Sequence, residues 1–523
     1  MMSYGMNPNG GQMAPLHMEV AETCALGHMG GVLTVSGRSS GDLMKSIIRR
    51  ITPVETCRLM GFNGDDYLDV DGANTPDSPR YKACGNSWGV NSAEWVNFRV
   101  ERVLRELGYV SNDRAIQYAT TCSGVEAHSQ AVKDCAWNAN FFSEIEKFPR
   151  KVLAWRYPHV PNLGDMTKVD GTKYDLDVFS GGTPCQSVSV AGKRHGMAED
   201  SGTRSSLAFH WLRIGREANA KILEWENVPG ALSSNGGRDF AWFVWRIAEA
   251  GYAVAWRVMD VQHCWTMNFP RAIPQRRRRI WLVASADRDW RTPARILFER
   301  SSHLGDSRPT RVLRDGTVVD EPKSGASCDG LFSFVANAPF FNGYSRADMI
   351  PAYIMPRSFG GMAAHWLREC GDVRYYGSFW HDESMSASPG NINFDLLKAI
   401  GSGAGVAVGN RVCLFRTREW TAGIQMPFGT TESDVPKKFD GTVCGLSDIL
   451  LPWGDYLGKY LLSKRACEGI VRRAEKRGKE LPVALKDALK EQIGNWDAGA
   501  LDRYLKREGI VEKDEGDEDE DVQ

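Results

Sequence analysis

No CxxC pair, no His/Cys ladder at zinc-ligand spacing and no apolar run of the roughly 20 residues that span a bilayer occurs in this 523-residue chain. Its twelve cysteines are scattered, so neither a structural zinc ribbon nor a disulfide framework is expected. No basic flank leads into an apolar core near the first residues, as a secretory signal would require. A surplus of one charge is missing too: 64 Lys and Arg face 65 Asp and Glu, a net of −1. There is no internal repeat. GSGAGVAVG at 401–409 misses the GxGxxG spacing, because Val406 stands where the third glycine belongs. These absences exclude collagen-like, membrane-spanning and disulfide-stapled proteins, and point to a soluble chain in a reducing cytoplasm, with no metal site and no membrane partner.

What is present is ordinary globular usage, 42% hydrophobic and 25% charged, in a length suited to about three domains. The charge is unevenly spread. Residues 512–523 hold eight acids and one lysine, leaving +6 on the other 511 residues. A mildly basic body with an acidic end is compatible with a nucleic-acid partner.

Along the chain, residues 1–37 are Gly- and Met-rich and read as a flexible lead-in. Thr52-Pro53 is a helix start signal, and Gly61 closes that helix. Residues 91–107 carry apolar positions at helical spacing. From 115 to 286 the pattern changes. Apolar runs at 115–121, 140–143, 176–179, 222–225, 253–258 and 280–284 alternate with helical stretches at 125–133, 147–157, 206–219 and 238–250. That alternation predicts an α/β fold with a doubly wound, mostly parallel sheet, binding its ligand beyond the carboxyl ends of the strands. Residues 299–445 lose the rhythm and read as a second, irregular domain. Residues 446–500 form a basic helical segment, and 501–523 an acidic tail.

Three loops carry chemistry. GGTPCQSVSVAGKRHGM at 181–197 puts Cys185 at a strand end in a Gly/Pro-constrained loop, with Lys193 and Arg194 nearby in sequence to favour a thiolate. A lone cysteine is more often an inert buried hydrophobe. ILEWENVPG at 222–230 puts Glu226 and Asn227 at the next strand end, where a single Glu is by default a satisfied loop residue. Two reactive groups at neighbouring strand ends of one parallel sheet, however, converge on one crevice. In IPQRRRRIWLVA at 273–284, alternation along a strand sends Arg277 and Arg279 to one face and Arg276 and Arg278 to the other. The bland alternative for these four is a solvated basic patch.

In this order the three segments resemble the cytosine-C5 DNA methyltransferases, with their Pro-Cys-Gln, Glu-Asn-Val and Gln-x-Arg-x-Arg motifs. The resemblance implies a Rossmann-like S-adenosylmethionine-dependent fold spanning 111–298, with 299–445 in the position of the target-recognition domain. It assigns Cys185 as nucleophile on cytosine C6, Glu226 at the ring N3, and Arg279 with Arg277 to orient the base and Glu226. The family's Phe-x-Gly-x-Gly cofactor loop falls on residues 122–126, with Cys122 replacing the aromatic, Gly124 retained and Glu126 replacing the second glycine. Glu144 falls on the ribose-binding acid, Ile145 beside the adenine, Asp165 on the adenine amino group, and Leu207 on a hydrophobic contact. Gln186, Ser189, Lys193, Arg194 and Gln275 are the implied DNA contacts.

Two family motifs that normally come last come first here, within residues 38–110. ITPVETCRLMGFNGDDY resembles the Thr-Pro-Arg-Glu helix, with Val54 in place of Arg. YKACGNSWGVNSAEWV resembles the Gly-Asn-Ser loop, whose Asn86 and Ser87 would touch the cofactor. The resemblance therefore implies a circular permutant acting on duplex DNA as a monomer, with a flipped base, in restriction-modification or phage DNA protection, and in the former case with a cognate endonuclease. The Asp/Asn/Ser-Pro-Pro-aromatic loop of amino-methylating DNA enzymes is absent. A tRNA substrate and a catalytically silent DNA-binding regulator both remain open at this stage, the latter because of Glu126.

Overall fold

The structure is a computed structural model. It describes residues 48–184, 207–261, 272–297, 449–452, 455–476, most of 478–494, and residues 264, 266, 268 and 269, together with the backbones of several further strands. Two compact units divide the chain. Met1–Asn86, Pro274–Arg276 and Val443–Gln523 form one; Ser87–Ile273 and Arg277–Thr442 form the other.

The larger unit contains α1 (Val90–Glu106), β1 (Ile116–Thr121), α2 (Ala127–Ala131), β2 (Trp137–Ser143), α3 (Lys147–Arg156), β3 (Val178–Gly181), α4 (Leu207–Glu217), β4 (Ile222–Asn227), α5 (Arg238–Glu249), β5 (Ala253–Asp260), β6 (Arg278–Ser285) and α6 (Arg291–Leu297). Three more strands, β7 (Val373–Ser378), β8 (Ala404–Val408) and β9 (Arg411–Phe415), complete one sheet of order β7-β9-β8-β5-β6-β4-β3-β1-β2. β1 pairs in parallel with β2 and β3, and β3 with β4, while β6 is antiparallel to both β4 and β5. The predicted mostly parallel α/β sheet is thus present in the six strands β1–β6, with β6 alone reversed. β1 lies between β2 and β3, so the winding changes direction there. The crevice outside the carboxyl ends of β1 and β3 is the switch point where open α/β sheets bind ligands.

Strand periodicity sorts the side chains onto two faces. On one face Leu223 and Trp225 of β4, Val254 and Trp256 of β5, and Ile280 and Leu282 of β6 join Trp211 and Ile214 of α4 and Phe240, Phe243 and Val244 of α5 in one apolar core. Trp225 is fully buried, and cutting it to alanine would cost about 3–5 kcal/mol. The alternate positions of β4, Glu224 and Glu226, point to the other face. Gly181 and Gly182 follow from close packing. A Cβ on Gly181 would sit 2.7 Å from Thr121 Oγ1 and from Trp211 Cδ1, and one on Gly182 2.7 Å from Trp88 Nε1.

In the smaller unit, Thr52 and Glu55 form a capping box at the start of the helix Pro53–Met60, and Gly61 ends it in the left-handed conformation. The Glu55 carboxylate also accepts from the Leu451 N–H at 2.8 Å and pairs with Arg49 through two bonds of 2.6 and 2.8 Å. Two further helices, α7 (Lys464–Lys476) and α8 (Val483–Gly494), pack Cys467, Ile470, Ala474, Leu485 and Leu489 around Ile48.

Three expectations about organisation change. The lead-in contains strands: Met2–Tyr4, His17–Met18 and Gly31–Ser36 form a sheet with Lys45–Arg50. The block 38–110 divides between Asn86 and Ser87. Part of 299–445 is no separate domain, because β8 pairs with the edge of β5 and β9 and β7 follow outward. An edge strand exposes a row of unmet N–H and C=O groups, and β8 satisfies them from far along the chain. The acidic tail lies outside the described residues.

Candidate active site

β4 ends at Glu226-Asn227, beside the end of β3. The Asn227 side chain donates to the Thr183 carbonyl at 2.9 Å, and Trp225 Nε1 donates to Thr183 Oγ1 at 2.9 Å. The backbone is therefore fixed up to Pro184, the last described residue before Cys185. Cys185, Gln186, Ser189, Lys193 and Arg194 all lie outside the described residues. Sequence reasoning missed Thr183 as the anchor, although its place between a strand end and Pro184 is a signal for one.

Glu226 is 7% exposed and faces Arg279, whose Nε lies 3.2 Å from Glu226 Oε1. Burial raises the Glu226 carboxyl above the ordinary glutamate range, and the charges of Arg279 and Arg277 pull it back only in part. The site therefore holds a buried carboxyl beside a guanidinium.

The predicted alternation of the arginines holds: Arg276 and Arg278 are exposed, Arg277 is 1% exposed and Arg279 is partly buried. Arg277 also has partners away from Glu226. Its guanidinium donates to the Ser87 carbonyl, and its N–H donates to Asp260 Oδ1 at 2.8 Å. It ties the segment before α1 to the arginine strand, because burial obliges a guanidinium to find an acceptor. Asn91 Nδ2 strengthens that junction, donating to the carbonyls of Val261 and Cys264 at 2.7 and 2.9 Å. Gln275, expected as a DNA contact, is fully buried. Asn86, exposed at the end of the helix Asp77–Asn86, belongs to the smaller unit.

The loops after β1 and β2 meet at the switch point. Cys122, Gly124 and Glu126 all have left-handed backbones, with φ of 50°, 54° and 62°. Strained non-glycine residues of this kind gather at functional sites. The Gly124 N–H donates to Glu144 Oε2 at 2.8 Å, and the Glu146 N–H donates to Glu144 Oε1 at 2.7 Å. These bonds aim the carboxylate while leaving lone pairs for hydroxyl donors. Ile145 beside it is 67% exposed, an apolar surface suited to a planar ring. Asp165 caps a short turn, accepting from the Thr167 N–H at 3.0 Å, which holds its carboxyl below the usual range. Cys122 and Leu207 both pack on the large apolar core, and burial pushes the Cys122 thiol up to about 12. That thiol lies 3.6 Å from Met166 Sδ.

Glu126 explains its own departure from the glycine pattern. Its carboxylate turns inward, 1% exposed, accepting from the Thr120 and Ser129 hydroxyls and from the Ser129 N–H at 3.2 Å at the start of α2. Behind it lies a pair that sequence reasoning missed. His128 Nε2 sits 3.2 Å from Glu224 Oε2, which also accepts from Ser180. A carboxylate within the apolar strand ILEWEN was the available signal.

A mostly parallel sheet thus carries an aimed carboxylate and an exposed apolar side chain at its switch point, and a second carboxyl paired with arginine one strand further on, in the region where open α/β sheets bind ligands. Residues 116–319 match the C-5 cytosine-specific DNA methylase family.

The chain is 33% identical over 252 residues to the DNA N-6-adenine-methyltransferase of Escherichia phage P1, covering 38% of this chain and 32% of that protein. It is 36% identical over 144 residues to the type II methyltransferase M.BsuFI of Bacillus subtilis, covering 27% and 32%. The chain thus spans about a third of the length of these relatives. A solved DNA modification methyltransferase encoded within an E. coli prophage is similar at 17% identity, with a TM-score of 0.26, over 33% of this chain and 47% of that one. No helix among the described residues is long and apolar enough to cross a membrane.

Proposed function

We propose that this protein transfers a methyl group from S-adenosylmethionine to C5 of cytosine in double-stranded DNA. The Glu226 carboxyl carries the reading: it is buried, raised in pKa and paired with Arg279 one strand away from the loop that bears Cys185. Cytosine C5 is a poor nucleophile until the ring gains electrons. The Cys185 thiolate forms a bond to C6 while Glu226 donates its proton to N3, and charge accumulates at C5. Arg279 holds the Glu226 carboxyl in place. After methylation the C5 proton leaves to a base, the Cys185–C6 bond breaks, and N3 returns its proton to Glu226. The target base must be flipped from the stack to reach these groups.

The residues present fit the cofactor. The aimed Glu144 carboxylate suits ribose hydroxyls, exposed Ile145 and Asp165 suit an adenine, and Ser87 on the segment clamped by Arg277 suits the methionine end. When bound, S-adenosylmethionine supplies an electrophilic methyl group on a sulfonium.

The bonds from Arg277 to Ser87 and from Asn91 to Val261 and Cys264 support a circular permutation, since they tie the early Gly-Asn-Ser segment into the catalytic unit. The domain family supports cytosine-C5 chemistry over the N6 chemistry in the phage P1 relative's name, because the chain contains no Pro-Pro pair at all. The name of the Bacillus relative supports a restriction-modification role beside an endonuclease, in the cytoplasm of a bacterial or phage-infected cell.

Duplex DNA containing 5-fluorocytosine tests the proposal. Fluorine cannot leave as a proton does, so the wild type with labelled S-adenosylmethionine traps a covalent complex, Cys185→Ala traps none, and Glu226→Ala traps about 10²–10⁴-fold more slowly. Methyl transfer to tRNA without trapping on DNA would overturn the substrate. Trapping by Cys185→Ala would overturn the nucleophile.

A further inference from the structure

The smaller unit lies outside the segment that matches the methylase family, apart from Pro274–Arg276, and its helix α7 is built with two opposed faces. Cys467, Ile470 and Ala474 are buried in the unit's apolar core. At 3.6 residues per turn, Arg465, Arg472 and Lys476 fall within an arc of about 40° on the opposite side. All three are exposed. None makes an ion pair with a described residue, although Glu468 and Glu475 are also exposed on the same helix.

Elsewhere in this unit Arg49 pairs with Glu55, Arg58 with Asp65, Arg80 with Asp69 and Lys459 with Asp77, while Lys464, Lys486 and Lys490 are exposed like the stripe. Like charges at i and i+4, as at Arg472 and Lys476, destabilise a helix by about 0.2–0.5 kcal/mol. A row of exposed cations opposite a packed face is suited to an external polyanion. Its length matches one: Arg465 to Lys476 spans about 16 Å of helix axis, comparable to about five phosphates of one DNA strand at about 3.4 Å each along the duplex.

We propose that the Arg465–Arg472–Lys476 stripe of α7 is an auxiliary docking surface for the phosphate backbone of duplex DNA, adding affinity without reading sequence. The partner class rests on the methyltransferase reading above. Phosphate contacts position a protein on a duplex, while base contacts select the site. The stripe therefore contributes equally on any duplex long enough to reach it.

The test is the salt dependence of DNA binding by the full chain. It compares the wild type with Arg465→Gln/Arg472→Gln/Lys476→Gln, using a fluorescent 40-base-pair duplex and a second duplex of unrelated sequence. Each neutralised phosphate contributes about 0.9 to the slope of log K against log salt, so the triple variant should lose about 2.7 from that slope on both duplexes. Between 50 and 200 mM salt its affinity should therefore fall about 40-fold less than the wild type's. An unchanged slope in a variant whose circular dichroism and melting match the wild type overturns the proposal. So does a change on one sequence only. An unchanged slope combined with lost cross-linking to residues 512–523 would assign the stripe to the chain's own acidic end instead. The wild type's failure to trap 5-fluorocytosine duplex would refute the methyltransferase reading separately, because the slope is read without turnover.

Discussion

Replacing Glu94 with glutamine should stabilise the protein, and increasingly so as pH rises. Glu94 lies on α1, 1% exposed, and burial raises its carboxyl to about 7 against hydrogen bonds from Thr266 and the Asn268 backbone that lower it. In the unfolded chain the group titrates near the ordinary glutamate value of 4.5. Below that value both states are protonated and the group is neutral to stability. Between 4.5 and about 7 the unfolded chain has lost its proton while the folded chain keeps it, so stability falls as pH rises, and it levels off above 7. At about 1.36 kcal/mol per unit, the loss is about 0.8 kcal/mol at pH 5 and about 3.3 kcal/mol at pH 8. Glu94→Gln has nearly the same shape and no ionisation, so its gain over wild type should follow that curve. Urea unfolding of both proteins, followed through the fluorescence of buried Trp95 and its fellows, would measure it at pH 5, 6.5 and 8. A difference that does not grow between pH 5 and 8 would refute the reasoning, since it would mean that Glu94 is already ionised in the folded protein.

Two further substitutions separate positioning from chemistry. Arg277→Ala removes a charge-assisted bond to Ser87 worth about 1.5–3 kcal/mol, and should weaken S-adenosylmethionine binding by about 10- to 100-fold. Arg277→Lys should recover little, since it lacks the guanidinium fork; calorimetric titration of both with the cofactor is the check, and undiminished affinity would remove Ser87 from the cofactor site. Glu126→Gly should lower stability by about 1–2 kcal/mol in thermal melts, because Thr120 and Ser129 lose their buried acceptor while relief of the left-handed strain returns part of the cost. Cofactor affinity should not change in that variant, and a loss of affinity would mean that Glu126 reaches the ligand.

The sequence by itself determined the local elements and the chemistry on offer. Apolar runs such as 222–225 and 280–284 became strands, and the Thr52-Pro53 signal became a capped helix, because periodicity and capping act within a few residues. The arrangement Pro-Cys-Gln, Glu-Asn-Val and Gln-x-Arg-x-Arg was equally legible, and alternation alone separated Arg277 and Arg279 from their exposed neighbours.

Tertiary structure decided which partner each group meets. Whether β8 closes a separate domain or extends the edge of β5 depends on a strand pairing across about 150 residues, which no local pattern encodes. Arg277 and Arg279 share a face, yet one holds the Ser87 carbonyl and the other Glu226, because their acceptors come from distant segments. Glu126 reads as a lesion in a glycine loop until the Thr120 and Ser129 hydroxyls are found around it. Glu226 is an ordinary carboxylate in the sequence. Burial raises its carboxyl above the ordinary glutamate range against the pull of Arg279, and burial exists only once the sheet is assembled.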